Sequence, residues 1–150
     1  RPPNSQPHQS LNYSPTPDII PVTDIIPQES ARQGEFESHP AFEIVPDNQG
    51  IIEVFIGLVN SKTSTLSIAK MTIPLIGLPF QTNEFDEYTV VLNGLLNVET
   101  NETTFFVNAG QAIIIQKGER VRYRTPHPSR AKYIAICLPG FSPGAVHHEE

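Results

Sequence analysis

Tryptophan is absent from this 150-residue chain and cysteine occurs once, at Cys137. A lone cysteine closes no internal disulfide, so the fold rests on its hydrophobic core. Cys137 sits in the apolar run from Tyr133 to Leu138 and reads as a small buried side chain rather than a reactive thiol. Cations are also scarce. Ten Lys and Arg against sixteen Asp and Glu leave a net charge of −6, which disfavours nucleic-acid backbones and anionic membranes as partners. No run approaches the roughly 18 apolar residues that a spanning helix needs, and no signal-peptide pattern opens the chain. A cytoplasmic location is expected. The chain begins with Arg1 rather than Met, as a processed, trimmed or tagged product would, and this leaves secretion open. The sequons at Asn12 and Asn101 occur about as often as chance supplies them and carry no weight.

What the chain has in plenty is proline, and it is concentrated at one end. Pro2, Pro3, Pro7, Pro15, Pro17, Pro21 and Pro27 punctuate residues 1–33. Proline at that density blocks helix propagation and central strands, so this stretch is expected to be an extended or disordered arm. Within it, Asp18-Ile19-Ile20-Pro21 is echoed by Asp24-Ile25-Ile26-Pro27, whose Ile pairs could lie as a strap over the body of the protein or over a partner subunit. Residues 34–150 are the expected globular domain.

From Phe42 onward short β-rich runs alternate with turn residues, and no segment shows a sustained helical period with caps. Strands are expected over residues 42–45, 51–59, 65–73, 85–92, 95–100, 103–107, 112–116, 120–125 and 131–138. Asn93-Gly94 is a strong short hairpin signal, Asn101-Glu102 separates two alternating strands, and Gly110 and Gly118 supply the positive φ of tight reversals. Many short strands at near-even spacing argue for an antiparallel sandwich or barrel.

Two of these turns carry a recognisable spacing. Glu87 is followed after six residues by Gly94, and Gly110 is followed by five residues, then Gln116, one residue and Gly118. The pattern resembles the paired motifs of the cupin superfamily, over about Gly77 to Leu138, and the tail from Leu138 to His148 is similar to the close of small single-domain cupins. The resemblance implies an all-β double-stranded β-helix, a jelly-roll barrel with a pocket at one mouth. It also implies where a metal would sit, and there the sequence departs from the family. The His-x-His positions carry Gln81 and Asn83, the carboxylate is kept as Glu87, the last histidine is Val121, and the second motif's proline is Gln116. Amide oxygens are weak, hard ligands and valine offers no lone pair, so no metal or other cofactor is expected at the usual position; a divalent metal remains the minor alternative.

Alternation along a strand places Phe85, Glu87, Thr89 and Val91 on one face and Val121, Tyr123 and Thr125 on another, both inward if the family register holds. Arg120, Arg122 and Arg124 then point outward, either as a solvated or subunit-facing strand edge or as an anion site. Glu87 with Gln81, Asn83, Tyr123 and Thr125 would form a polar cluster in an apolar barrel. Desolvation should raise the Glu87 pKa toward the range useful for acid or base work, and Tyr123 could donate to a developing oxyanion. Glu87 could equally be a structural carboxylate. His127, in the turn after Thr125, is the first candidate for a displaced ligand or general base, with His39 second. Catalytic roles are thus expected for Glu87, Tyr123 and His127, and ligand contacts for Gln81, Asn83, Thr89, Val121 and Thr125.

Three functions are compatible with these residues. One is a metal-independent enzyme performing isomerisation, dehydration or cyclisation by proton transfer. Another is a metal-dependent oxygenase, lyase or isomerase with unusual ligands. The third is a ligand-binding or assembly protein without turnover. A small-molecule ligand and a homodimer are expected in each, the dimer by analogy with single-domain cupins.

Overall fold

The computed structural model describes residues 29–46, 50–126 and 130–149. Most of the proline-rich arm, including both Asp-Ile-Ile-Pro echoes, and His127 lie outside the described residues.

Thirteen strands are described, and no α-helix: β1 Ala31–Gln33, β2 Phe36–Ser38, β3 Phe42–Ile44, β4 Ile51–Ile56, β5 Ser67–Thr72, β6 Gln81–Asn83, β7 Asp86–Asn93, β8 Leu95–Glu99, β9 Thr104–Asn108, β10 Ala112–Ile115, β11 Arg120–Arg124, β12 Lys132–Leu138 and β13 Val146–His148. β1 and β2 form a separate hairpin. The rest make two antiparallel sheets, six strands in the order β10-β7-β12-β5-β4-β3 and five in the order β13-β6-β11-β8-β9. From β6 to β13 the chain passes back and forth between the sheets, breaking the alternation only at the β8–β9 hairpin. That winding is the jelly roll of a double-stranded β-helix.

All nine expected strands are present, with ends that differ from the expectation by at most three residues; β7 and β9 each run one residue further. The hairpin at Asn101-Glu102 also forms, with Glu99 opposite Thr104 and the Thr100 hydroxyl accepting the Glu102 and Thr103 amides. Asn93-Gly94 is a correction: β7 and β8 belong to different sheets and are not hydrogen-bonded neighbours. The positive φ of Gly94, 74°, turns the strand through a corner of the barrel instead of folding it back on itself. The local residues favour a sharp reversal of direction, and tertiary packing decides whether it becomes a hairpin or a corner.

The core lies between the sheets and is built from alternate residues of each strand. Val91, Leu96, Val98, Val107, Ile115, Val121, Tyr123, Tyr133 and Ala135 are buried together. At the head of the six-stranded sheet, just before β4, Gly50 adopts φ 78°, and a Cβ there would lie 1.8 Å from the carbonyl oxygen of Thr72.

Arg120, Arg122 and Arg124 do point outward, but their strand is not an edge: β11 pairs with β6 on one side and β8 on the other. The stripe is satisfied on the surface. Glu99 accepts from Arg122 at 2.8 Å and Arg124 at 3.3 Å, Glu149 accepts from Arg120 at 2.6 and 2.8 Å, and the Arg120 and Arg122 guanidinium groups lie 3.7 and 4.7 Å from the centre of the Phe80 ring. The adjacent guanidinium of Arg122, with that of Arg124, holds the Glu99 carboxyl below its ordinary pKa. The chain's tail is likewise ordered by pairing. β13 lies against β6, and His147 reaches Glu84 at 2.5 Å.

Candidate functional site

The interior face of the six-stranded sheet carries the polar residues. Along β7 the inward positions are Glu87, Thr89 and Val91; register brings Cys137 opposite Glu87, Ala135 opposite Thr89 and Tyr133 opposite Val91 on β12. Ile115 of β10 flanks Glu87 on its other side. Tyr123 projects from β11 in the facing sheet, and its ring stacks on that of Tyr133, with centroids 6.0 Å apart.

Glu87 is only 6% exposed. Its carboxyl accepts a hydrogen bond from the Thr89 hydroxyl at 3.0 Å, and no cation pairs with it among the described residues. Burial raises its pKa, an effect that Thr89 and the nearby Tyr123 hydroxyl oppose without cancelling. Tyr123, 2% exposed, has its own pKa pushed well up by burial and by the Glu87 charge. Its hydroxyl lies close enough to Glu87 for each to influence the other's proton, yet no partner meets it with hydrogen-bond geometry among the described residues. A buried donor left in that state costs about 1–3 kcal/mol. The phenol stays protonated at ordinary pH, so it remains a donor.

Sequence reasoning missed Tyr133 as a member of this cluster. Its phenol is pushed up by burial and by Glu87, as is the Cys137 thiol, to about 12. Such a thiol is not a nucleophile near neutral pH, which agrees with its reading as a buried small side chain. The alternation Tyr133-Ala135-Cys137 put these residues on one face; only the strand register says that the face is Glu87's.

The other residues of the expected polar cluster are buried too. Gln81 and Asn83 are buried on β6, but they hydrogen-bond each other at 3.1 Å, and the Thr125 hydroxyl donates to the Leu95 carbonyl at 3.0 Å. No described hydrogen bond joins any of the three to Glu87. Val121 is buried opposite Gln81 on β11. His39 is engaged away from the barrel interior, with Ser30 at 2.7 Å and Glu37 at 3.1 Å. This donor set is a poor fit for a tightly held transition metal: amide oxygens are weak, hard ligands, that of Asn83 already accepts from Gln81, Val121 cannot ligate, and among the described residues no three His, Cys, Asp or Glu side chains could hold an ion together.

Beside this layer, between the free edges of β9 and β10, lies a cleft of about 460 Å³. Ile115 and Val121 line it, and they are the cross-strand neighbours of Glu87 and Gln81. The cleft wall is therefore one residue away from the buried carboxyl.

Residues 46–140 match the sequence model of the family described as ethanolamine utilisation protein EutQ. The chain belongs to the EutQ family. With the paired motifs and the jelly roll already described, this EutQ-family chain is a member of the cupin superfamily. Over 121 residues it is 31% identical to a Myxococcus xanthus (strain DK1622) protein named endoribonuclease YbeY, an alignment covering 79% of this chain and 41% of that protein. The chain thus spans about two fifths of the length of that curated relative. Among solved structures, the polyketide cyclase RemF from Streptomyces resistomycificus superposes with a TM-score of 0.61 at 16% identity, over 73% of this chain and 80% of that one. The nucleoside dehydratase Pac13 from Streptomyces superposes with a TM-score of 0.59 at 13% identity, over 73% of this chain and 85% of that one. At these identities the likeness establishes a common fold. No helix among the described residues is long and apolar enough to cross a membrane.

Proposed function

We propose that this EutQ-family protein is a small-molecule enzyme that moves protons in the barrel interior without a bound metal, catalysing an isomerisation, dehydration or cyclisation with Glu87 as acid and base. The observation that carries this reading is the pairing of an uncompensated buried carboxyl with an unsatisfied buried phenol, Glu87 and Tyr123, behind the wall of a cleft. A carboxyl whose pKa is raised by burial retains its proton closer to neutral pH and can give it to a leaving hydroxyl or take one from carbon. The Tyr123 hydroxyl, still protonated, is a donor with no other engagement and would stabilise an oxyanion forming beside it. Thr89 holds the carboxyl in orientation. Gln81, Asn83, Val121 and Thr125 would shape the ligand's surroundings, and His127, outside the described residues but two positions after Thr125 in sequence, remains the candidate for a second proton carrier. Two neighbours of the same fold bear the names of a cyclase and a dehydratase, reactions in which protons move. The family's description names a process rather than a reaction.

The test uses protein purified without chelator, analysed for metals, and then incubated in deuterated water with hydroxylated carbonyl compounds and with nucleosides such as uridine. Mass spectrometry should detect solvent deuterium in the substrate or loss of water, unaffected by added chelator. A stoichiometric metal whose removal abolishes the signal would replace this reading with the metal-dependent one. Ligands that bind and are never changed would favour a receptor.

A homodimer fits the outer surface of the six-stranded sheet. Ile114, Tyr88, Ile136, Ile68 and Ile56 stand opposite one another in an apolar row across five strands, with Ile114 63% and Tyr88 38% exposed. A row of this kind is the type of surface that two copies cover on a shared two-fold axis. Sedimentation should give twice the chain mass, and deleting Arg1 to Ser30 should shift it if the Ile pairs of the arm strap one subunit to the other. An unchanged monomer in both forms would remove the dimer from the proposal.

A further inference from the structure

The cleft between β9 and β10 says what kind of molecule it accepts. Its apolar walls are Val98, Phe105, Ile113, Ile115 and Val121, from four strands, with Thr100 and Gln116 as neutral polar positions among them, and a smaller hollow of about 250 Å³, which Gln111 also lines, adjoins it at Phe105 and Ile113. No Lys, Arg or His lines either one. The one charged side chain at the rim, Glu119, is an exposed carboxylate, and the group buried behind Ile115 is another acid, Glu87. The protein does have cations a few residues away. However, Arg120, Arg122 and Arg124 alternate with Val121 and Tyr123 along β11, so they leave the barrel on the opposite face, where Glu99 and Glu149 already bind them.

From this distribution we infer that the ligand of the cleft is an uncharged, planar, ring-bearing molecule with a hydroxyl or carbonyl as its polar end, and that phosphorylated and carboxylated compounds are refused. The inference rests on reading the cleft beside Glu87 as the substrate site. An anion entering the seam would give up its hydration with no counter-charge to replace it and with two acids near its path. A neutral ring loses little by the same transfer and gains the apolar walls and the exposed face of Phe105. The volume lies within the range of small-molecule sites, about 300–1,000 Å³. Thr100 and Gln116 are the neutral polar residues of the lining that a hydroxyl or carbonyl would meet, with the Tyr123 hydroxyl and the Glu87 carboxyl buried behind the wall that Ile115 and Val121 form.

The experiment compares 2-naphthol with 2-naphthoate, probes of nearly equal shape that differ in charge near neutral pH, by titration calorimetry on the full chain. Naphthol should bind at least about tenfold more tightly than naphthoate. Ile113→Trp, which fills the seam, should abolish naphthol binding while the circular-dichroism melt stays cooperative. Phe105→Lys, an exchange at a half-exposed rim position that folding tolerates more readily, should raise naphthoate binding relative to naphthol and shrink or reverse the preference. Equal binding of the two probes, binding of neither, or a Phe105→Lys variant with the parental preference would overturn the inference. Glu87→Gln separates it from the proposed chemistry. A variant that keeps the preference for naphthol while no proton-transfer substrate is found would leave the cleft's selectivity standing and count against the enzyme alone.

Discussion

Glu87→Gln is expected to lower turnover by about 10²–10⁴-fold and, in the same molecule, to make the fold more stable at neutral pH. The two effects share a cause. Gln is nearly isosteric, and its amide oxygen can still accept from the Thr89 hydroxyl, so the packing of β7 against β12 is retained. What disappears is the exchangeable proton. In the parent, burial raises the Glu87 pKa above its unfolded value. Below the ordinary carboxylate range both the folded and unfolded forms hold the proton. As pH rises through that range the unfolded chain ionises first, so it binds fewer protons than the folded form and stability falls until the folded carboxyl itself ionises. The Gln variant lacks this term. Thermal melts at a series of pH values should therefore coincide for parent and variant at acidic pH and separate above it, with the variant melting higher. Parallel curves would show that Glu87 is not strained by its surroundings, and full turnover in the variant would remove it from the mechanism.

Gly50→Ala should be among the most damaging single-methyl additions available. The position needs φ 78°, which costs an alanine about 1–3 kcal/mol. The added Cβ would also sit 1.8 Å from the Thr72 carbonyl oxygen, so backbone rather than a side-chain tip has to move. Overpacking of that kind costs roughly another 1–3 kcal/mol. Thr72 pairs with Ile51 at the start of β4 and with Lys132 at the start of β12, so the shift is transmitted to three strands of the six-stranded sheet. A combined loss of about 2–6 kcal/mol takes a large part of the 5–15 kcal/mol that a domain of this size typically has. Chemical denaturation should show a lower midpoint with an unchanged slope. By contrast, Gly110 has a positive φ with open space around its Cβ position, so Gly110→Ala should suffer the conformational cost alone.

The residues that could be placed from sequence are those whose position follows from alternation along a single strand. Period two groups Glu87, Thr89 and Val91 on one face and Val121, Tyr123 and Thr125 on another, the family register turns both faces inward, and all six residues are buried. The long strands were legible for the same reason. β6 and β13 were not, because three residues are too few to show a period; Gln81-Thr82-Asn83 becomes a strand through its neighbours β11 and β13. Relations between strands were harder to see. Nothing local says that Cys137 stands opposite Glu87, that Gln81 donates to Asn83, or that Asn93-Gly94 is a corner. Each depends on register or sheet assignment, which the fold sets globally.

The pairing of β13 with β6 imposes an order on assembly. β6 is held to β11 by two residue pairs and to β13 by three, and β13 is made last of all the described strands. On the ribosome, then, the wall carrying Gln81 and Asn83 has to wait, with neither edge paired until β11 is made and one edge still open after that, while some sixty further residues are synthesised, from Glu84 to Ala145. Because β7, β10 and β12 enter the opposite sheet during that interval, the polar interior around Glu87 is put together before the strand that finally closes the edge of β6 exists. The nascent barrel is thus exposed to water, chaperones and other nascent chains along that edge until β13 has been made.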